Sequence, residues 1–353
     1  MGGSVKKFWI VGLLVVVVAG LVWFLLGRGQ PTTELRLLNW SDYMPRAVLD
    51  EFERREGVRV IEDTYDSPEA MLTRLKAGGD REFDVLITPD YTIAQLVRAG
   101  MIAELNKDLI PNLRHLDPQF TDPAYDPGAR HSVVYQWGTT GLAYRADLVT
   151  GPVESWAVIF DPNRQVGRFM LLDEKREMIG AALMFKGESV NTTDPARLAE
   201  VQTLLIETKR RSQGFAGGTS IRDRLIAGDI AVGPAYSGDI VAAQPENPNL
   251  RYVIPVEGGT LWTDNLVVMR HSPNQELVHK FINFLLEPEI AAQISNYLGF
   301  ATPVETAMGM IEKRDNPLVY PTPEKRARLQ MLASLEEPDN LLLSNLWAEV
   351  KAR

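Results

Sequence analysis

The feature of this sequence that most narrows its fold is the regular alternation of short apolar runs with amphipathic stretches. Residues 35–40 read as a strand. Residues 45–56 read as a helix whose stripe is Val48, Leu49 and Phe52 and whose stop is Gly57. A second strand follows at 58–62, then a helix through Lys76 with Ser67 as its cap and Pro68 in its first turn. Residues 83–88 form an almost wholly apolar strand, as expected when both faces are buried, and 93–100 a further helix. This order implies a parallel or mixed sheet flanked by helices. A second round follows Trp137; strands are expected at 133–137, 141–145, 168–172, 229–232, 253–255 and 265–269, with a Gly258-Gly259 turn before the last. Helices are expected at 174–185, 196–210 and 219–227, and long helices near the end. One sheet with so many elements would be unusual, so two α/β lobes are expected. Ligands in such sheets sit beyond the carboxyl ends of strands. That directs attention to residues 40–43, 89–91, 236–239 and 262–264.

The N-terminus carries a different signal. Lys6 and Lys7 precede an uncharged run at residues 8–26, and Gly27 to Pro31 breaks it. Nineteen residues at 1.5 Å each span roughly 28 Å, about one hydrocarbon core. Residues 1–30 therefore read as a signal anchor or signal peptide, with the anchor favoured, because the one plausible cleavage site, after Ala19, would leave a strongly apolar mature end. Two lysines before the run and Arg28 after it orient the body outward. The location expected is periplasmic, with a tether to the inner membrane at residues 8–26.

Charge and composition exclude more than they assign. The formal net charge is −9, and beyond residue 30 the chain holds 34 basic against 46 acidic residues, a formal −12. No Lys/Arg cluster offers the basic footprint that nucleic acid requires. The absence of cysteine rules out disulfides, thiolate nucleophiles and Cys-ligated metal. There is no phosphate-binding Gly-x-x-x-x-Gly-Lys loop, no Gly-x-Gly-x-x-Gly, no His-Glu-x-x-His and no Gly-x-Ser-x-Gly, and the four histidines are scattered. No enzyme activity, metal or cofactor is expected. Carboxylate-based hydrolysis remains open on sequence, since Asp and Glu are abundant.

At the strand ends the chain resembles a known family. Leu37-Leu38-Asn39-Trp40-Ser41-Asp42-Tyr43 is similar to the opening of the bacterial spermidine/putrescine-binding proteins. The similarity continues through 83–87, 96–102, 136–141, Tyr236-Ser237-Gly238-Asp239, the 257–264 run ending Trp262-Thr263-Asp264, and 281–289. The resemblance implies a periplasmic binding protein-like fold of type II, two α/β lobes joined by a hinge with the ligand cleft between them. The first lobe would comprise 34–141 and 262–306, the second 142–261 and 307–353. It implies ligand contacts from Trp40, Ser41, Asp42 and Tyr43, from Tyr91, from Glu177, from Tyr236 with Asp239, and from Trp262 with Asp264. Phe300 stands in place of a family tyrosine, Pro89 in place of a common serine, and Leu332 or Gln330 near a position where some members use glutamine.

These residue types suit a flexible apolar chain bearing ammonium groups. Aromatic faces cover methylenes and attract cations, and fixed carboxylates offset ammonium desolvation. The plain readings stand beside the sharp ones: Trp40 and Trp262 as core residues, Asp42 as a helix cap, Glu174 and Glu177 as acids favoured in a first helical turn. The favoured function is capture of a polyamine, putrescine or spermidine, by a monomer that hands it to the permease of an ABC transporter in the inner membrane. Another small cation, a sugar-like ligand or a membrane-tethered sensor role are the alternatives.

Overall fold

The computed structural model describes residues 33–353. The run at 8–26, with its anchor or signal reading, lies outside the described residues; among those described, no helix is long and apolar enough to cross a membrane.

In chain order the strands are β1 (Glu34–Trp40), β2 (Arg59–Tyr65), β3 (Val85–Pro89), β4 (Ser132–Arg145), β5 (Leu171–Leu172), β6 (Phe215–Ala216), β7 (Val232–Tyr236), β8 (Leu250–Val253), β9 (Gly259–Val268) and β10 (Leu329–Gln330). The helices of more than one turn are α1 (Arg46–Glu56), α2 (Pro68–Lys76), α3 (Ile93–Arg98), α4 (Lys175–Phe185), α5 (Pro195–Arg211), α6 (Gly218–Ala227), α7 (Ser237–Ala243), α8 (Gln275–Leu285), α9 (Pro288–Leu298) and α10 (Glu337–Ala352). The opening forms as its pattern dictates. β1 pairs parallel with both β2 and β3. α1 buries Val48, Leu49 and Phe52 and ends at Gly57 with φ 68°, a left-handed turn that favours glycine. The Ser67 side chain accepts from the Ala70 N–H and starts α2.

The middle of the chain departs from its pattern. Residues 133–137 and 141–145, expected as two strands, are one 14-residue strand, β4. β9 begins at Gly259 rather than residue 265, so the expected Gly258-Gly259 turn is its entry. The two strands run antiparallel, pairing Gly138 with Trp262 and Thr140 with Thr260. Gly138 looks like a break in the sequence but is required by close packing, because a Cβ there would lie 2.6 Å from the Trp262 ring. β7 also starts later than expected and runs straight into α7, whose small residues gave no helical stripe.

Hydrogen bonding joins eight strands into one ladder, β2-β1-β3-β9-β4-β7, with β10 beside β9 and β8 beside β4. The expectation against a single sheet fails because β4 and β9 each run through both halves of the molecule. Two separate cores show those halves. One gathers Leu35, Phe52, Val133, Tyr135, Leu266 and Phe281. The other gathers Leu142, Trp156, Phe169, Leu183, Leu205 and Leu250. β4 thus leaves the first core after Tyr135 and enters the second at Leu142. Ala307 and Ile311, assigned on sequence to the second lobe, pack in the first core.

Phe281 is fully buried, its ring 4.9 Å from that of Phe52. Phe281→Ala should lower stability by about 3–5 kcal/mol in urea denaturation. A loss below about 1 kcal/mol would show that α8 does not anchor the first core.

Candidate ligand-binding cleft

Between the two cores lies a cavity of about 910 Å³. Side chains alternate along a strand, so Thr260, Trp262 and Asp264 share one face of β9, and Trp262 and Asp264 line the cleft. Asp264 is 7% exposed, and its Oδ1 accepts a 3.2 Å bond from Trp40 Nε1. The Tyr43 hydroxyl stands close enough to feel that charge, yet it is buried with no hydrogen-bond partner of good geometry. Burial pushes the Asp264 carboxyl up to about 6, although the Trp40 N–H and the nearby Tyr43 hydroxyl oppose it. Among the described residues no cation forms an ion pair with Asp264.

An aromatic series flanks this acid. Tyr43 meets Phe300 edge-on at 5.8 Å, Phe300 meets Trp262 at 5.1 Å, and Trp262 meets Tyr236 at 5.7 Å. Trp40 leans on Tyr65 at 4.4 Å. Edge-to-face packing of this kind fixes ring planes as well as burying area. Phe300 sits over Gly238, where a Cβ would approach its ring to 2.2 Å. Trp262 Nε1 is buried without an acceptor.

The opposite wall supplies further carboxylates. Glu177 is buried, and its Oε2 accepts a 2.6 Å bond from the Thr260 hydroxyl. Glu174 caps α4, accepting from the N–H groups of Arg176 and Glu177 at 3.3 and 2.7 Å, and it accepts a 3.0 Å bond from the Tyr91 hydroxyl. Burial raises the proton affinity of both glutamates, and for Glu174 the neighbouring Glu69 and Glu177 add to it. Asp239, partly buried in the first turn of α7, is pushed up to about 6 by burial, with Arg222 pulling the other way.

Of the residues expected at the site, Trp40, Ser41, Tyr43, Tyr91, Glu177, Tyr236, Asp239, Trp262, Asp264 and Phe300 line this one cavity. Asp42 does not. It occupies a left-handed position, φ 56°, in the turn after β1, and its exposed side chain is outside the lining. Nor does it cap α1, which starts from Pro45 with no side-chain cap. Gln330 binds Ser189 and the Val190 N–H instead of facing the cleft, and Leu332 is a second-core residue. Sequence reasoning passed over Tyr65, Asp66, Asp173, Asp223 and residues 217–220, which also line the cavity, and treated Glu174 only as a first-turn acid. Tyr65 ends β2 one strand from Trp40, the carboxyl-end signal that could have found it.

Residues 47–319 match the family described as bacterial extracellular solute-binding protein. The chain belongs to that family. This solute-binding protein is 31% identical to the putrescine/cadaverine-binding protein of Pseudomonas aeruginosa over 93% of its own length and 96% of the relative's. It is also 31% identical to the spermidine/putrescine-binding periplasmic protein of Escherichia coli, over 82% and 84%. A solved substrate-binding protein of a spermidine/putrescine ABC transporter from Streptococcus pneumoniae superposes with TM-score 0.75 at 30% identity, covering 91% of this chain and 99% of that one. A Listeria monocytogenes structure named for a spermidine/putrescine ABC transporter gives TM-score 0.86 at 31% identity, with coverages of 91% and 99%. The fold is the two-lobed type II arrangement of these binding proteins, and the family is one of binders rather than enzymes.

The solute-binding protein should be destabilised by its own empty cleft. A carboxyl whose folded pKa is raised binds more protons folded than unfolded between the two values, so stability falls as pH rises through that window. For Asp264 the window runs from 3.8 to about 6. Asp264→Asn keeps an acceptor for Trp40 and should raise the stability of the unliganded protein at pH 7.5 by roughly 1–3 kcal/mol, with little gain at pH 4. Equal effects at both pH values in thermal denaturation would refute this account.

Proposed function

We propose that this protein captures a polyamine, putrescine or spermidine, outside the cytoplasm and delivers it to the permease of an ABC transporter in the inner membrane. The observation that carries the reading is Asp264: a buried carboxylate with no ion-pair partner among the described residues, set between Trp40 and Trp262. A ligand ammonium supplies the missing charge, and the rings cover the methylenes beside it. Glu177, Glu174 and Asp239 take the ammonium groups at the other end, with Tyr91 and Tyr236 against the chain. Ser41 and Tyr43 supply hydroxyls at the Asp264 end. The names of the relatives support both the ligand class and the transporter partner.

In this reading residues 34–141 and 262–306, extended to about Ile311, form one lobe, and 142–261 with the C-terminal segment the other. The lobes close on the ligand by a hinge in β4 and β9, and the closed form, a monomer, is what the permease receives. Residues 8–26 would hold the protein to the inner membrane.

Calorimetry on the purified protein tests the ligand class. Putrescine or spermidine should give binding heat and a neutral sugar none; heat from the sugar alone would move the assignment to a sugar-like ligand. Asp264→Asn should weaken amine binding roughly 10- to 100-fold, the range for a charge-assisted hydrogen bond. Glu177→Gln should likewise weaken binding, and the wild type should leave the amine chemically unchanged. Consumption of the amine, followed by mass spectrometry, would point to an enzyme instead.

A further inference from the structure

Asp90 lies under the cleft rather than in it. It follows β3, is fully buried, and is absent from the cavity lining. Its Oδ1 accepts from the Tyr91 N–H at 2.7 Å, and its Oδ2 from the Thr263 N–H at 3.1 Å, with the Thr263 hydroxyl at 3.4 Å. One carboxyl group therefore holds two residues of the site from behind: Tyr91, whose ring lines the cleft, and Thr263, the link between Trp262 and Asp264.

A neutral acceptor could make two such bonds, and a buried acid is a costly way to make them. Among the described residues no Lys, Arg or His forms an ion pair with Asp90. The charged and titratable groups around it are Asp264 on β9, Glu177 and Arg176 on α4, the adjacent Tyr91, and Tyr125. Tyr125 accepts from the Thr263 hydroxyl at 3.0 Å and donates to Asn265 Oδ1 at 2.8 Å. Two carboxylates thus face Asp90 against one guanidinium, and Arg176 also serves Glu174 and Glu177. The empty cleft leaves Asp90 under net negative charge, and a cation at Asp264 removes much of it.

We propose that Asp90 is a positioning residue whose carboxyl releases its proton when a cation seats against Asp264, so that capture is coupled to proton release. In the neutral form the proton sits on Oδ2, the oxygen beside the Thr263 hydroxyl. On capture it passes to solvent, and the resulting carboxylate binds the Tyr91 and Thr263 N–H groups more strongly, firming the wall and floor around the ligand. Burial pushes the Asp90 carboxyl up to about 7 in the empty protein, which puts the exchange at neutral pH. The proposal rests on the cation-capture reading.

Calorimetric titration of putrescine into the full protein at pH 7, in buffers of different ionisation enthalpy, counts the protons released. The wild type should release roughly half a proton more than Asp90→Asn, since a group near its pKa is about half protonated. Weaker binding by Asp90→Asn with an unchanged proton count would reduce Asp90 to a structural role and overturn the proposal. Carbon-13 NMR of aspartate-labelled wild type gives a second reading that needs no folded variant. The Asp90 carboxyl, assigned through its own backbone amide and so told apart from Asp264 and Asp239, should titrate near neutral pH in the empty protein and stay ionised over that range with putrescine. Identical titrations with and without ligand overturn the proposal. No heat from either amine would sink the capture reading, and the proposal with it, whereas heat with equal proton counts sinks the proposal alone.

Discussion

The cleft depends on β9 remaining a single uninterrupted strand through both halves of the protein. Because its side chains alternate, Thr260, Trp262 and Asp264 are held on one face over about 13 Å at strand rise. Each of the two end residues is tied to a different wall. Asp264 accepts from Trp40 of the first core, and Thr260 donates to Glu177 of the second. A slip of one residue would turn Trp262 and Asp264 away from the ligand space and Thr260 away from Glu177. The pairing of β9 with β3 on one side and β4 on the other fixes that register.

In the proposed function, electrostatics give the cleft its preference for cations. Buried carboxylates usually persist only when paired. Here Arg176 acts on Glu174 and Glu177 only through space, its N–H groups going to Ala333 O and Asn191 Oδ1, Glu69 has Lys175 at 3.1 Å, and among the described residues no cation pairs with Asp264. Burial raises the proton affinity of Asp264, Asp239, Glu174 and Glu177 together. Such an arrangement is poor for the stability of the empty protein. It is favourable for one that must hold a multiply charged cation, because the ligand relieves a cost already present in the fold.

The parts of this design that follow local rules were legible in the sequence. β1 to β3 and the helices between them carry clean apolar periods, caps and stops. Strand ends beside aromatic residues pointed to the cavity. The continuity of β4 and β9 was not legible, since the stretch at Gly138 and the Gly258-Gly259 pair read as breaks. Gly138 and Gly259 are instead places where a Cβ would strike the Trp262 ring or the Thr140 carbonyl. Asp42 misled for a related reason: a motif fixes a residue's position in the chain, whereas the left-handed turn after β1 fixes where its side chain goes. Glu174 was hidden because a helix-capping acid and a cavity-lining acid look the same in sequence, and here one side chain both caps α4 and lines the cavity.

The bridges between the walls are unevenly placed, and this bears on how the cleft can work. Tyr91 donates to Glu174, the Ser334 hydroxyl donates to the Tyr91 carbonyl at 2.6 Å, and buried Lys175 reaches Glu69. All three lie at the Tyr91 edge and join the two halves there. At the other edge, exposed Asp42 lies within electrostatic range of Arg222 and Asp239, with no direct bond between them. In the proposed capture cycle the free movement therefore belongs to the Asp42 edge, and Tyr91 serves as the fixed side. That division explains why Asp90, which holds Tyr91 and Thr263 together, is placed behind the bridged edge: a charge change there acts on parts of the cleft that do not move.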